Sequence, residues 1–120
     1  MNFINELFHW KLGRQKSGYS KMLLCRTTWP IKFDTCLLKF PKGSKISPHK
    51  DPVESGKHYR LNIILKKAIE GGEFNCKDPI FETKRIKLFR PDRSEHQVSK
   101  IIRGNRYLLS IGWVIEQSKN

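Results

Sequence analysis

From Lys21 onward, the apolar residues of the chain fall into short runs broken by proline, glycine or charge. "KMLLCRTTW" and "DTCLLKF" lie on either side of Pro30, and Pro41 closes the second run. Proline cannot donate to a β-ladder, so it marks strand ends. "HYRLNIILKK" (His58 to Lys67) is rich in Ile and Leu and long enough for a buried strand. In "AIEGGEFNC" the Gly71-Gly72 pair signals a turn leading into a further strand. "KRIKLFRP" (Lys84 to Pro91) alternates basic and apolar residues with the period of a half-buried strand. "HQVSKIIRG" and "NRYLLSIGWVI" follow, divided at Gly104-Asn105. Together these runs predict about eight short strands, an all-β sandwich or barrel. Upstream, Phe3, Ile4, Leu7 and Phe8 recur at helical spacing, which predicts a short amphipathic helix over residues 2–10. The polar, basic "KLGRQKSGYSK" (Lys11 to Lys21) predicts a loop. The expected organisation is therefore a helix and basic-loop extension over 1–33 and a β domain over 34–120.

Composition narrows the picture. A chain of 120 residues supports one core and not two. Hydrophobic residues make up 38% and are interspersed with the charged ones, which argues against disorder. The net charge is +13, and it favours an anionic partner: nucleic acid, an acidic protein or a membrane surface. It also serves solubility alone. Cys25, Cys36 and Cys76 form no C-x-x-C pair, so neither a zinc ribbon nor a disulfide framework is indicated. Buried, inert thiols in a reducing cytosol are expected. "MNFINELFHWKL" lacks the basic and apolar regions of a secretory signal, and no run approaches the roughly 18 apolar residues of a membrane span. The expectation is a soluble, cytoplasmic protein with no membrane partner.

The candidate chemistry begins at "SPHKDP". On a strand, residues two apart point to the same side, so His49 and Asp51 can aim an imidazole and a carboxylate at one ion. Pro48 and Pro52 fit a rigid surface turn equally well. A facial two-histidine, one-carboxylate site requires a second histidine. His96, which opens "HQVSKII", is the best placed. His9 reads as a surface histidine, and His58 as structural or substrate-facing. In "NRYLLSIGW", Arg106, Leu108, Ser110 and Gly112 share one face. If that face is the inner one, a buried Arg and Ser are costly without a bound anion, and a guanidinium fork suits a carboxylate. If Tyr107, Leu109, Ile111 and Trp113 form the buried row, Arg106 is solvated.

Taken in order, His49-x-Asp51, the "GGEF" turn, His96 and an Arg ten residues later resemble the 2-oxoglutarate and Fe(II)-dependent dioxygenases. The resemblance spans roughly Asp34 to Ile115. "CLLKFPKGSKISPHKD" is similar to the approach to the metal in nucleic-acid dealkylating members, while "HYRLNIIL…GGEF" and "HQV…GNRYLLSIGW" look more like the prolyl-hydroxylase branch. The resemblance implies a double-stranded β-helix, a jelly-roll or cupin-like barrel. It implies Fe(II) on His49, Asp51 and His96, and Arg106 on the distal carboxylate of 2-oxoglutarate. Ser110 becomes a contact to the co-substrate or to its ligands, and Asn62 or Lys66 is the candidate for the polar contact that Phe40 lacks. Phe40 stands where many relatives carry a co-substrate-binding Tyr, and Gly112 where the dealkylating branch has a second Arg. The implied reaction consumes O2 and 2-oxoglutarate, hydroxylates or oxidatively demethylates a substrate, and releases succinate and CO2, with ascorbate a candidate reductant. Candidate substrates are nucleic acid, gripped by Arg14, Lys16, Tyr19 and Lys21 of the basic loop, an acidic protein segment, or a small molecule. The competing reading is a basic β-barrel that binds nucleic acid without catalysis. It treats His49, Asp51 and His96 as coincidental, and the chain lacks the aromatic-and-basic strand ladder such barrels use.

Overall fold

The structure, a computed structural model, describes residues 7–12, 17–53 and 55–116. Among these the chain forms strands and no helix. Numbered in chain order, the large antiparallel sheet runs β1 (Trp10–Leu12), β2 (Ser20–Thr27), β3 (Lys32–Phe40), β12 (Arg106–Ile115), β5 (Lys57–Lys66), β9 (Ile86–Phe89) and β8 (Phe81–Glu82). Facing it are a three-stranded sheet, β4 (Ile46–His49), β10 (His96–Val98) and β7 (Phe74–Cys76), and a pair, β11 (Ile101–Arg103) with β6 (Glu70–Gly71). The short, turn-punctuated runs predict this all-β architecture, and its jelly-roll form is the one the resemblance implies.

The large sheet is organised around β12, which pairs with β3 from Arg106↔Phe40 to Val114↔Lys32 and with β5 from Tyr107↔Lys66 to Ile115↔Lys57. Its burial alternates without a break from Arg106 to Trp113: Arg106, Leu108, Ser110 and Gly112 are buried, and the residues between them are half-buried. The first of the two faces left open by the sequence is thus the inner one. Between the sheets, Tyr19, Phe40, Val98, Ile101 and Leu108 form the buried apolar cluster. Each large side chain so buried contributes about 1.5–3 kcal/mol relative to exposure. The "GG" turn is required by sterics. Gly71 and Gly72 have φ of 79° and 69°, and a Cβ on Gly71 would meet the Lys100 carbonyl oxygen at 2.1 Å.

Three expectations are corrected. Residues 2–6 of the expected helix lie outside the described residues, but 7–10 are not helical, and the expected loop over Lys11 to Lys21 begins and ends in strand. Phe8 N–H donates to Leu23 O at 2.9 Å, and Trp10–Leu12 pairs with Ser20–Met22. The free edge of β2 supplies ladder partners that outweigh a weak helical periodicity over so few residues. The buried-thiol expectation holds for Cys36. Cys76 is half-buried and Cys25 exposed, and all three are free. No helix among the described residues is long and apolar enough to cross a membrane.

Burial, followed by the Asp34 carboxylate, raises the Cys36 thiol above its usual pKa. Thiolate is the reactive form, so at about pH 8 native protein should leave Cys36 unlabelled by an alkylating reagent until global unfolding. Mass-spectrometric mapping of the labelled cysteines checks this, and rapid native labelling of Cys36 would contradict the packing described.

Candidate metal centre

His49 ends β4 and His96 begins β10, and the antiparallel register sets them directly opposite each other. Asp51 follows β4 by two residues, its N–H donating to Pro91 O at 2.7 Å. The three side chains converge, with one ligand atom from each lying within 4.8 Å of the others. His49 Nε2 is 3.4 Å from Asp51 Oδ1, and His96 Nε2 is 3.3 Å from Asp51 Oδ2. The two rings tilt at 56° with centroids 4.3 Å apart.

The far sides of the rings fix what the near sides offer. His49 Nδ1 lies 2.8 Å from Ser47 O and His96 Nδ1 lies 2.9 Å from Ser94 O. A carbonyl oxygen only accepts, so each Nδ1 carries the proton and donates it. In a neutral ring Nε2 then presents its lone pair, the usual state of a ligating histidine oriented by an outer partner. Two such lone pairs face a carboxylate that also only accepts. The arrangement is repulsive until a proton or a cation sits among them, and the nitrogen–nitrogen–oxygen set suits a first-row divalent metal. The residues therefore fit the metal that the resemblance implies. Phe89 and Phe74 flank the His96 ring, with centroids at 5.0 and 6.2 Å, and shield it on the buried side.

The same cavity, about 380 Å³ in volume, is lined by Arg106, Phe40, Ser110, Asn62, Arg60 and Asp34 as well as the three converging residues. Arg106 lines it as a buried cation. The residue is 2% exposed, its guanidinium carbon lies 5.0 Å over the Phe40 ring, and Nη1 is buried without a hydrogen-bond partner. Burial alone lowers its pKa to about 10, so it remains a cation at neutral pH. A buried, incompletely paired cation costs several kcal/mol, which an anion entering the cavity would offset. Phe40 supports this group with its ring face.

Ser110 and Asn62 are brought together with each other. Ser110 Oγ donates to Asn62 Oδ1 at 2.7 Å and accepts from Arg60 Nη1 at 2.8 Å. Arg60 Nη2 reaches both Asp34 oxygens at 3.0 and 2.9 Å. Arg60 and Asp34 were not anticipated. The signal existed: His58, Arg60 and Asn62 alternate as a polar row along an otherwise apolar strand. What could not be read was Gly112, which faces Arg60 in register and whose missing side chain leaves room for it. A Cβ there would lie 2.0 Å from Arg60 Nη2. His58 lines the cavity, and burial followed by the Arg60 charge pushes its pKa below the ordinary value. Its Nδ1 is buried without a partner. Tyr19, expected on a basic rim, is instead buried. Its ring stacks on Phe40 at 4.9 Å, because it leads into β2 on the cavity side. Arg14 and Lys16 of that loop lie outside the described residues, while Lys21 is exposed and lines the cavity. His9 is exposed, as expected.

No family model matches the sequence, and no curated protein does. The fold has clear counterparts among solved structures. The Schizosaccharomyces pombe Cnp3 cupin domain aligns with a TM-score of 0.61 at 13% identity, over 89% of this chain and 69% of that one. KdgF from Halomonas sp. aligns at 0.54 and 15%, over 91% and 88%. The cupin-2 domain Rru_A2000 from Rhodospirillum rubrum aligns at 0.56 and 12%, over 92% and 70%. At these identities the likeness shows the fold, a cupin-type double-stranded β-helix, and it singles out no oxygenase.

Two outcomes are expected. Titration with Co(II), followed by its visible ligand-field bands, should show one saturable site in the wild type. His96→Ala or Asp51→Ala should lower the affinity at least about 100-fold, since each removes one of three ligands; unchanged binding would assign the metal elsewhere. Gly112→Ala should displace the Arg60 fork and cost about 1–3 kcal/mol in denaturant unfolding, because the Asp34 and Ser110 groups lose their partner. A neutral substitution would show that this network is dispensable.

Proposed function

We propose that the chain is an Fe(II)- and 2-oxoglutarate-dependent oxygenase that hydroxylates or oxidatively demethylates an anionic substrate. One observation carries the reading: a single cavity is lined both by the three converging ligand atoms of His49, Asp51 and His96 and by the buried guanidinium of Arg106, whose Nη1 has no hydrogen-bond partner. A divalent metal answers the first and a carboxylate the second, and a keto-dicarboxylate can serve both at once. His49, Asp51 and His96 would hold Fe(II). When bound, Fe(II) with 2-oxoglutarate supplies dioxygen activation coupled to oxidative decarboxylation, with succinate and CO2 as products.

The chain's own residues then have distinct tasks. Arg106 receives the distal carboxylate as a fixed fork, held on Phe40 and needing no reorientation when ligand arrives. The apolar cluster of Leu108, Val98 and Ile101 beside it excludes water, which strengthens that pairing. Asn62, Ser110, Arg60 and Asp34 form a hydrogen-bonded wall that fixes the width of the cavity. His58 stays neutral beside Arg60 and offers Nδ1 as a hydrogen-bonding atom. Lys21 and Arg26 line the same cavity at exposed positions. With the +13 charge they support a nucleic acid or an acidic protein segment as the substrate.

Anaerobic addition of Fe(II) and 2-oxoglutarate should give a visible metal-to-ligand charge-transfer band, and air should release succinate. Arg106→Met should leave Co(II) binding intact but cost at least about 100-fold in 2-oxoglutarate affinity, within the 2–5 kcal/mol typical of breaking a buried charge pair. Without ligand, the same change should raise the melting temperature, because an uncompensated buried charge is replaced by an apolar chain of similar volume. No band and no succinate, with salt-sensitive nucleic-acid binding retained, would replace this reading by the non-catalytic barrel.

A further inference from the structure

The outward face of the large sheet brings aromatic rings and cations into register. With Arg106, Leu108 and Ser110 turned to the cavity, the intervening residues of β12 point away from it, and the pairing extends that choice to the neighbouring strands. At one end of this face Tyr107 lies between Lys39 on β3 and Lys66 on β5, its Cα partners on either side. Lys66 therefore faces away from the cavity and is not the polar contact that Phe40 lacks. Lys39 Nζ lies 6.0 Å from the Tyr107 ring centroid, at the outer reach of a cation–π contact. At the other end Trp113 lies between Phe33 and Tyr59. The Trp113 and Tyr59 rings stack with centroids 5.9 Å apart, and the Arg90 guanidinium carbon lies 5.6 Å over Tyr59. Arg90 donates to both Asp92 oxygens, at 2.6 and 3.2 Å, so the net positive charge at this end comes from Lys57, opposite Ile115 in the next row. Tyr107 and Trp113 are both half-buried, and at about 3.4 Å per residue they lie about 20 Å apart along β12. Between them are two uncharged rows, Leu37, Leu109 and Ile63, then Thr35, Ile111 and Leu61. No strand residue on this face, from Trp10 on β1 to Phe81 on β8, is acidic. Asp34 and Glu82 fall on the cavity side.

We infer that this face binds single-stranded nucleic acid, with bases stacked at Tyr107 and at the Trp113–Tyr59 pair and the backbone held by Lys39, Lys66 and Lys57. The aromatic-and-basic ladder that no single strand spells is assembled across β3, β12 and β5 by their register. A sheet that offers rings to a few bases, with cations beside them for the phosphates, is a recurring way of gripping a single strand. Charge complementarity selects a polyanion, because the chain carries +13 and this face sets no strand carboxylate against it. The rings select among polyanions, since stacking rewards a base and gains nothing from phosphate alone. In a duplex the base faces are already stacked on one another, so the platform favours single strands. The uncharged rows give the bases between the two ring sites an apolar floor. The cavity opens on the other side of the sheet, so this surface is separate from the mouth lined by Lys21 and Arg26, and both can be occupied at once.

Fluorescence anisotropy should show the wild type binding a labelled oligothymidylate of about 12 nucleotides, with an affinity that falls as salt rises. Lys39→Ala combined with Lys66→Ala should make the slope of log affinity against log salt shallower by about 1.4, at about 0.7 for each lost phosphate contact. Tyr107→Leu should weaken binding between about 5-fold and about 140-fold, whereas Tyr107→Phe should preserve it, because the ring and not the hydroxyl carries the stacking. Far-UV circular dichroism and Co(II) binding should be retained in each variant, which separates a lost contact from lost folding. Two further measurements need no substitution. An abasic strand of equal length should bind at least about 5-fold more weakly than the oligothymidylate. A photoactivated bromouridine strand should crosslink to Tyr107, Tyr59 or Trp113. A wild type that ignores the strand at about 0.1 M salt overturns the inference. So do equal affinity for the abasic strand, crosslinks confined to the cavity mouth, or a preference for duplex or for phosphatidylserine vesicles. None of these results depends on the metal or on 2-oxoglutarate.

Discussion

The rest of the structure depends on the period-two alternation of β12. The strand is paired on both sides, and an antiparallel ladder fixed on both edges cannot slip by one residue without turning every side chain over. The slip would bury Tyr107, Leu109, Ile111 and Trp113 together with the cavity's histidines and expose Leu108. It would also carry Arg106 to solvent. Holding the register instead buries a guanidinium on the lining of the cavity. Leu108 is what makes this tolerable: on the same face, it belongs to the apolar cluster whose burial opposes the cost of the charge.

The cavity is frustrated in two complementary ways. On one wall two imidazole rings and a carboxylate converge, and on the other a buried cation lacks a full set of acceptors. Neither group is relieved by the other, because they belong to different sheets. His49 and His96 sit on the smaller sheet and Arg106 on the larger. An incompletely paired buried charge is costly, and the proposed metal and carboxylate would each complete one of these two sets. By contrast, the Arg60, Asp34, Ser110 and Asn62 network between them is internally satisfied and has structure to offer in place of binding capacity.

The strands and their turns were legible because each has a local signature, whereas the convergence of His96 on His49 and Asp51 was implied only by the ordered resemblance. Period two, paired glycines and flanking prolines are sequence-local quantities. The polar row His58, Arg60, Asn62 was equally legible as a pattern, but its purpose was not. Whether Arg60 serves a ligand or Asp34 is decided by strand order, and β3 reaches β5 only through β12. The N-terminal segment failed for a related reason. A few apolar residues at helical spacing carry little free energy, and the unpaired edge of β2 offered backbone partners that the sequence does not announce. Tyr19 shows the same limit: a glycine-punctuated basic stretch reads as solvated, yet one ring in it completes the stack on Phe40.

Gly112 is the departure from the dioxygenase pattern that the structure makes intelligible. The pattern places a second arginine there, and by sequence alone its replacement by glycine reads as a loss of charge from the inner face. The register sets Gly112 opposite Arg60, and the Arg60 guanidinium occupies the space into which a side chain at position 112 would extend. The face therefore keeps two guanidinium groups, one from β12 and one from β5. They are not equivalent. Arg106 is buried with an unfilled donor, whereas Arg60 is clamped between Asp34 and Ser110 and accessible from the mouth. An arginine supplied from the neighbouring strand arrives already paired, so it shapes the cavity without competing with Arg106 for an incoming carboxylate. That division leaves Arg106 Nη1 as the buried guanidinium nitrogen on this face without a hydrogen-bond partner among the described residues.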